Sequence, residues 1–139
     1  MEKKVAISIK KASRICDKIT EPQMRALGLT SAQFKILHYL YDHPNGTVRQ
    51  VDMERFYSLT HPTTIGLLQA LESKGYVVRT VNPDDARSRI VSLTEKAEEQ
   101  REKLLALAEE IEETMTNNLN DKETEELVRL LEILLGENK

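Results

Sequence analysis

The residues able to do chemistry are few and scattered. The chain has one cysteine and three histidines. His38 and His43 stand five apart, and only His61 and Cys16 could complete a ligand set, a spacing that fits no zinc site. There is no nucleophile elbow, phosphate-binding glycine loop or pair of catalytic carboxylates, and the glutamates from Glu95 to Glu113 read as a solvated helix face. No enzyme, metal or cofactor is expected. Cys16 falls on an apolar helical stripe with Val5, Ile9, Ala12, Ile15 and Ile19. A small buried hydrophobe is its plain reading and a redox-active thiol the sharper one.

The remaining chemistry is ionic. Arg87 and Arg89 are two apart, so on a strand they share a face, and Asp85 is placed to hold the Arg87 guanidinium. An arginine on a protruding tip suits a narrow minor groove, whose walls concentrate negative potential. Asp84 and Asp85 weaken that field, and a solvated ion pair of this kind is worth only ~0–1 kcal/mol.

A stronger signal precedes it. From Thr60 to Leu71 no residue is charged, although 31% of the chain is, which would put about four charges in such a stretch. At helical spacing Thr60, Thr64, Leu67, Leu68 and Leu71 point to one side, toward a core. Pro62, Gly66, Gln69 and Ser73 lie opposite, flanked by Ile65, Thr63 and Ala70. A face that met only water would carry Lys and Glu. Small neutral residues suit a helix lying in a DNA major groove, where Gly66 admits close backbone approach and an acid would repel phosphate. Free N–H groups at the helix start, with the Thr60 and Thr63 hydroxyls, can take phosphate. The competing reading is a helix enclosed by its own core.

The elements that must hold these groups follow from periodicity and turn chemistry. The 139 residues fit one domain, 40% apolar and 4% aromatic, with no run approaching a membrane span. Met1–Lys10 carries four charges and no apolar leader core, and a reducing cytoplasm fits the lone cysteine. Net charge is +4 over residues 1–46, +1 over 47–94 and −8 over 95–139. A first helix from Val5 to Ile19 is expected to end at Glu21-Pro22. Thr30 with Gln33 opens a second, carrying Phe34, Leu37, Leu40 and Tyr41, and Thr47 with Gln50 opens a third. Thr60 caps the fourth, with Pro62 in its first turn and Gly75 past its end. Tyr76–Val81 and Ile90–Leu93 read as strands around a polar tip, Asn82–Arg89. Thr94 starts one long helix broken at Asn117–Asp121, and a last helix ends at Gly136. Two short helices and a hairpin in that order make a winged helix-turn-helix in a mainly α chain.

The stretch from Thr60 to Ala97, THPTTIGLLQALESKGYVVRTVNPDDARSRIVSLTEKA, resembles the MarR family of bacterial transcription regulators. Leu71-Glu72-Ser73-Lys74-Gly75, Asp85-Ala86-Arg87 and Leu93-Thr94-Glu95-Lys96 sit at that family's spacing, and the helix order matches along the chain. The resemblance implies a single domain, 1–139, with residues 1–20 and 95–139 as dimerisation helices. It implies a DNA-binding lobe at 30–94, with the helix-turn-helix at about 47–74 and the wing at 76–93. Thr60, His61, Pro62, Thr63, Thr64, Ile65, Gly66 and Gln69 become the recognition-helix contacts, and Arg87, braced by Asp85 and accompanied by Arg89, the minor-groove contact. Many members carry a basic residue at Ala86, a glycine at Ala97 and a polar or basic pair at Ile65-Gly66. Base readout here therefore leans on His61, Thr63, Gln69 and a thymine-methyl contact from Ile65. Peroxide-sensing members use a first-helix cysteine, but Cys16 stands nearer the Thr30 helix than theirs does.

Val5, Ile9, Ala12, Ile15 and Ile19 at one end, and Leu127, Leu130, Leu131 and Leu134 at the other, are more apolar surface than a small winged helix can cover. Pairing between two chains buries them economically; pairing of the two helices within one chain is the alternative. The expected protein is a homodimeric repressor on a pseudo-palindromic operator of double-stranded DNA, released by a small-molecule effector, with no membrane partner. Its rivals are a Cys16 redox sensor and a helical adaptor that binds proteins through the uncharged Thr60–Leu71 face.

Overall fold

The computed structural model describes residues 4–137, so the outermost residues of both expected dimerisation segments, and Met1–Lys3 of the leader reading, lie outside it. The elements are α1 (Val5–Arg25), α2 (Ser31–Tyr41), β1 (Val48–Arg49), α3 (Gln50–Tyr57), α4 (His61–Ser73), β2 (Val77–Asn82), β3 (Asp85–Leu93), α5 (Glu95–Glu99), α6 (Arg101–Thr116) and α7 (Asp121–Leu135). The fold is mainly helical with a small antiparallel sheet ordered β1-β3-β2.

Capping chemistry sets most boundaries. Thr30 and Gln33 exchange side-chain and backbone hydrogen bonds, both 3.1 Å, to start α2. Thr94 starts α5 and donates to the Gly75 carbonyl at 2.6 Å, tying the end of the wing to the end of α4. Gly75 and Gly136 adopt the left-handed conformation (φ 83° and 77°) that closes α4 and α7.

Four expectations are corrected. Pro22 does not end α1, which runs on to Arg25. Met24, just past the proline, is fully buried in the core, and that packing holds the last turn in place although the proline N–H is missing. Thr47 does not cap α3, because its hydroxyl donates to Pro44 O and Val48–Arg49 pairs with Ile90–Val91 as a third strand. Arg49 is the N-cap instead, boxed with Asp52. The polar tip shrinks to Pro83-Asp84: Asn82 pairs with Asp85, so Arg87 and Arg89 lie on β3. The long helix after Thr94 is split at Gln100 (φ −90°, ψ −4°).

The core gathers Met24, Ile36, Leu37, Met53, Leu68, Leu71, Val77, Val91 and Leu104, all at most 2% exposed, each contributing roughly 1.5–3 kcal/mol on burial. Tyr41 is buried among them and donates its hydroxyl to Ala97 O at 2.6 Å. Cys16 and Ile19, at the far end of the apolar stripe of α1, are partly buried against this core. Val5, Ile9 and Ile15 remain exposed, and no residue of α7 is buried. The two end helices therefore do not bury each other within one chain: α1 packs on α6 and α2.

Candidate nucleic-acid interface

α4 is fixed by its inner side. Thr64, Leu68 and Leu71 are fully buried, and Arg79 of β2 reaches Glu72 at 2.7 Å, locking the wing to the helix. What stays outside is the neutral face. His61, Pro62, Thr63, Gly66, Gln69 and Ser73 are exposed, and Ile65 is half-buried at the edge of a groove of about 650 Å³ between α3, α4 and β3. A side-chain carbon built on Gly66 would meet nothing within 4 Å, so the helix surface is open there.

Two recognition-helix expectations shift. Thr64 donates to Thr60 O at 3.0 Å and has no exposed surface, because its place on α4 faces the core; it cannot touch a ligand in the groove. Thr60 is exposed rather than directed into the core, and its oxygen accepts the Thr63 N–H at 3.3 Å. That cap is worth about 1 kcal/mol and leaves the hydroxyl less free for phosphate. The Thr60 hydroxyl also donates to Thr63 Oγ1 at 2.9 Å, so Thr63 can offer its own proton outward.

On the wing, the Arg87 side chain is 93% exposed. Asp85 accepts its backbone N–H at 3.0 Å and makes only a loose 3.5 Å contact with its guanidinium. The charge is aimed outward and barely neutralised. Arg89 curls back onto the Ala86 and Ser88 carbonyls at 3.3 Å.

The groove also holds residues that sequence reasoning passed over: Arg49 at the end of β1, Gln50, Glu54 and Arg55 of α3, and Arg79 of β2. Four charges within Arg49–Arg55, directly ahead of the uncharged helix, were the available signal. Arg49 is paired with Asp52 at 2.7 Å. Burial alone would raise the Asp52 carboxyl, but hydrogen bonds from Arg49 hold it below the usual carboxylate range. Glu54 accepts from His61 Nδ1 at 2.9 Å.

A second concavity of about 510 Å³ lies between α1, α2 and α6, bordered by Cys16, Thr20, Lys35, His38, Tyr57 and Ile111. Burial, with Asp42 and Tyr39 nearby, pushes the Tyr57 hydroxyl up to about 12. No helix among the described residues is long and apolar enough to cross a membrane.

The MarR family model matches residues 27–88, the span from the α1–α2 loop to the wing. Among solved structures, S. aureus MepR in complex with DNA is 25% identical, covers 97% of this chain and 98% of its own, and superposes with a TM-score of 0.85. A MarR transcriptional regulator from Methanosarcina mazei Go1 is 26% identical over 95% of this chain and 94% of its own, TM-score 0.84. A cysteine-to-serine mutant of E. coli MarR complexed with operator DNA is 26% identical over 94% and 93%, TM-score 0.82.

Proposed function

Since the chain is a MarR-family winged helix-turn-helix protein, a DNA-binding transcription regulator rather than an enzyme, we propose that it works as a homodimeric repressor. Two copies of α4 enter successive major grooves of a pseudo-palindrome, with half-sites about 10 bp or a multiple apart. The carrying observation is the exposed, uncharged face of α4 adjoining a groove that His61 and Ile65 line together with an outward-aimed Arg87. That MepR and E. coli MarR were crystallised on DNA supports the same use of this surface.

The division of labour follows the fold. Residues 30–94 form the reading head, residues 1–20 and 95–139 the stem. The stem carries Val5, Ile9, Ala12 and Ile15 on α1 and Leu127, Leu130, Leu131 and Leu134 on α7 toward the second copy. Each of these four α7 leucines is 36–55% exposed in the single chain, and fully burying a leucine gives roughly 1.5–3 kcal/mol. The cleft beside Tyr57 and His38 is where a small effector would act. It touches both α1 of the stem and α3 of the head, so an occupant that prefers one head spacing shifts the dimer toward it.

Selection of bound sequences from random duplex DNA, at two salt concentrations, tests the reading. Enrichment of inverted half-sites supports it. Salt-insensitive recovery of random sequence, or none, would return the uncharged face to the protein-adaptor reading.

A further inference from the structure

Glu54 is an acid in a groove that, on the reading above, must accept a polyanion. Its side chain is only 15% exposed, and one carboxylate oxygen takes both of its contacts, from His61 Nδ1 at 2.9 Å and Gln50 Nε2 at 3.4 Å. Gln50 is itself buried, its Oε1 without a partner among the described residues. Nδ1 faces the carboxylate, with Gln50 Nε2 also 3.4 Å from it, so the nitrogen that the His61 ring offers outward is Nε2, on a side chain 65% exposed. The other charges facing this groove are Arg49 on β1, Arg55 on α3, Arg79 on β2, and Asp85, Arg87 and Arg89 on β3. Arg49 is taken by Asp52 and Arg79 by Glu72, and α4 contributes no arginine or lysine to the groove. The Glu54 carboxylate is left with His61, a partner that is cationic only when its ring is doubly protonated.

We propose that Glu54 is a positioning residue that makes operator binding proton-linked through His61; the proposal rests on α4 being the DNA-reading helix. Off DNA the neutral imidazole donates Nδ1–H to Glu54 and leaves the site one negative charge. As phosphates approach, Nε2 takes a proton from solvent while Nδ1–H stays on the carboxylate. The site becomes neutral, and Nε2 turns from acceptor into donor toward a phosphate or a base acceptor. Each reading head takes up one proton, two per dimer. Imidazole, with two ring nitrogens that can each hold a proton, is the side chain suited to such a linkage.

Fluorescence-anisotropy titration of the full chain on its selected operator, at pH 6 and pH 8 and constant ionic strength, provides the test. The wild-type protein should bind about tenfold or more tightly at pH 6. Glu54→Gln removes the uncompensated charge, so it should bind more tightly than wild type at pH 8, with a profile flat within about twofold. His61→Gln should lose the gain at pH 6, and His43→Asn, outside the groove, should keep the wild-type profile. Nitrogen-15 imidazole shifts should place the His61 proton on Nδ1 in the free protein and lose that preference in Glu54→Gln. A flat wild-type profile with operator bound at both pH values overturns the proposal and leaves the DNA reading standing. Glu54→Gln binding more weakly at both values, with the slope kept, makes Glu54 merely structural and equally overturns it. Absence of operator binding at any pH overturns both.

Discussion

Replacing Arg87 by alanine separates a contact with DNA from a contact within the fold. The guanidinium is 93% exposed, and its one side-chain contact is a 3.5 Å approach to Asp85, so the folded chain should hardly notice the loss. A change within ~0.5 kcal/mol corresponds to a melting shift of at most about 2 °C for a chain of this size. Binding should respond differently. Each duplex phosphate neutralised contributes about 0.9 to the slope of log K against log salt, so losing one arginine from each of two wings lowers the slope by about 1.8. Over a fourfold salt change, from 50 to 200 mM, the deficit of the variant should shrink about twelvefold. Anisotropy titrations on one operator duplex at four salt concentrations read the slope, and thermal unfolding reads the stability. A slope equal to wild type, with weakened binding, would mean that the wing does not reach the duplex and that Arg87 acts through the fold.

Gln69→Ala should relax base preference more than it weakens binding to random duplex, because the exposed amide is placed for base edges; equal losses on both would contradict that. Leu131→Glu puts a charge amid the exposed leucines of α7 and should give a folded monomer by sedimentation with greatly weakened operator binding; an unaltered dimer would refute the stem assignment. The Tyr41 and Tyr57 hydroxyls are both pushed up to about 12, mainly by burial. Since the folded value lies above the unfolded one, their contribution is complete below about pH 10 and is lost as pH rises through about 12, at up to ~1.4 kcal/mol per pH unit for each. Denaturant midpoints between pH 9 and 12 check this, and Tyr41→Phe should flatten the decline.

Local chemistry made most of the boundaries legible. The Thr30, Thr60 and Thr94 caps, the Gly75 and Gly136 stops and the apolar side of α4 are short-range effects that residue type alone determines. The errors came where distant groups decide. Thr47 and Val48 carry a plausible helix start, but pairing with β3 draws Val48 into the sheet. Pro22 looks like a stop, yet burial of Met24 in the core carries the helix on to Arg25. Within the candidate site the outward face of α4 and the arginine tip could be read from composition and spacing. Helical spacing puts Thr64 on the core side while the resemblance puts it among the contacts, and its complete burial upholds the spacing. The Gln50–Glu54–His61 cluster joins two helices across a turn, and no single-helix periodicity reveals it.

The central claim is that the open surface of α4 around Gly66 lies against DNA. Gly66→Glu tests it most directly, because the first carbon of a side chain there meets nothing of the protein within 4 Å. Helix propensity favours the change by about 0.5–1 kcal/mol, so the variant should fold at least as stably as wild type. Placed against stacked bases and phosphates, the carboxylate should abolish binding to the selected operator. A stable Gly66→Glu protein that bound this operator with undiminished affinity would contradict the claim.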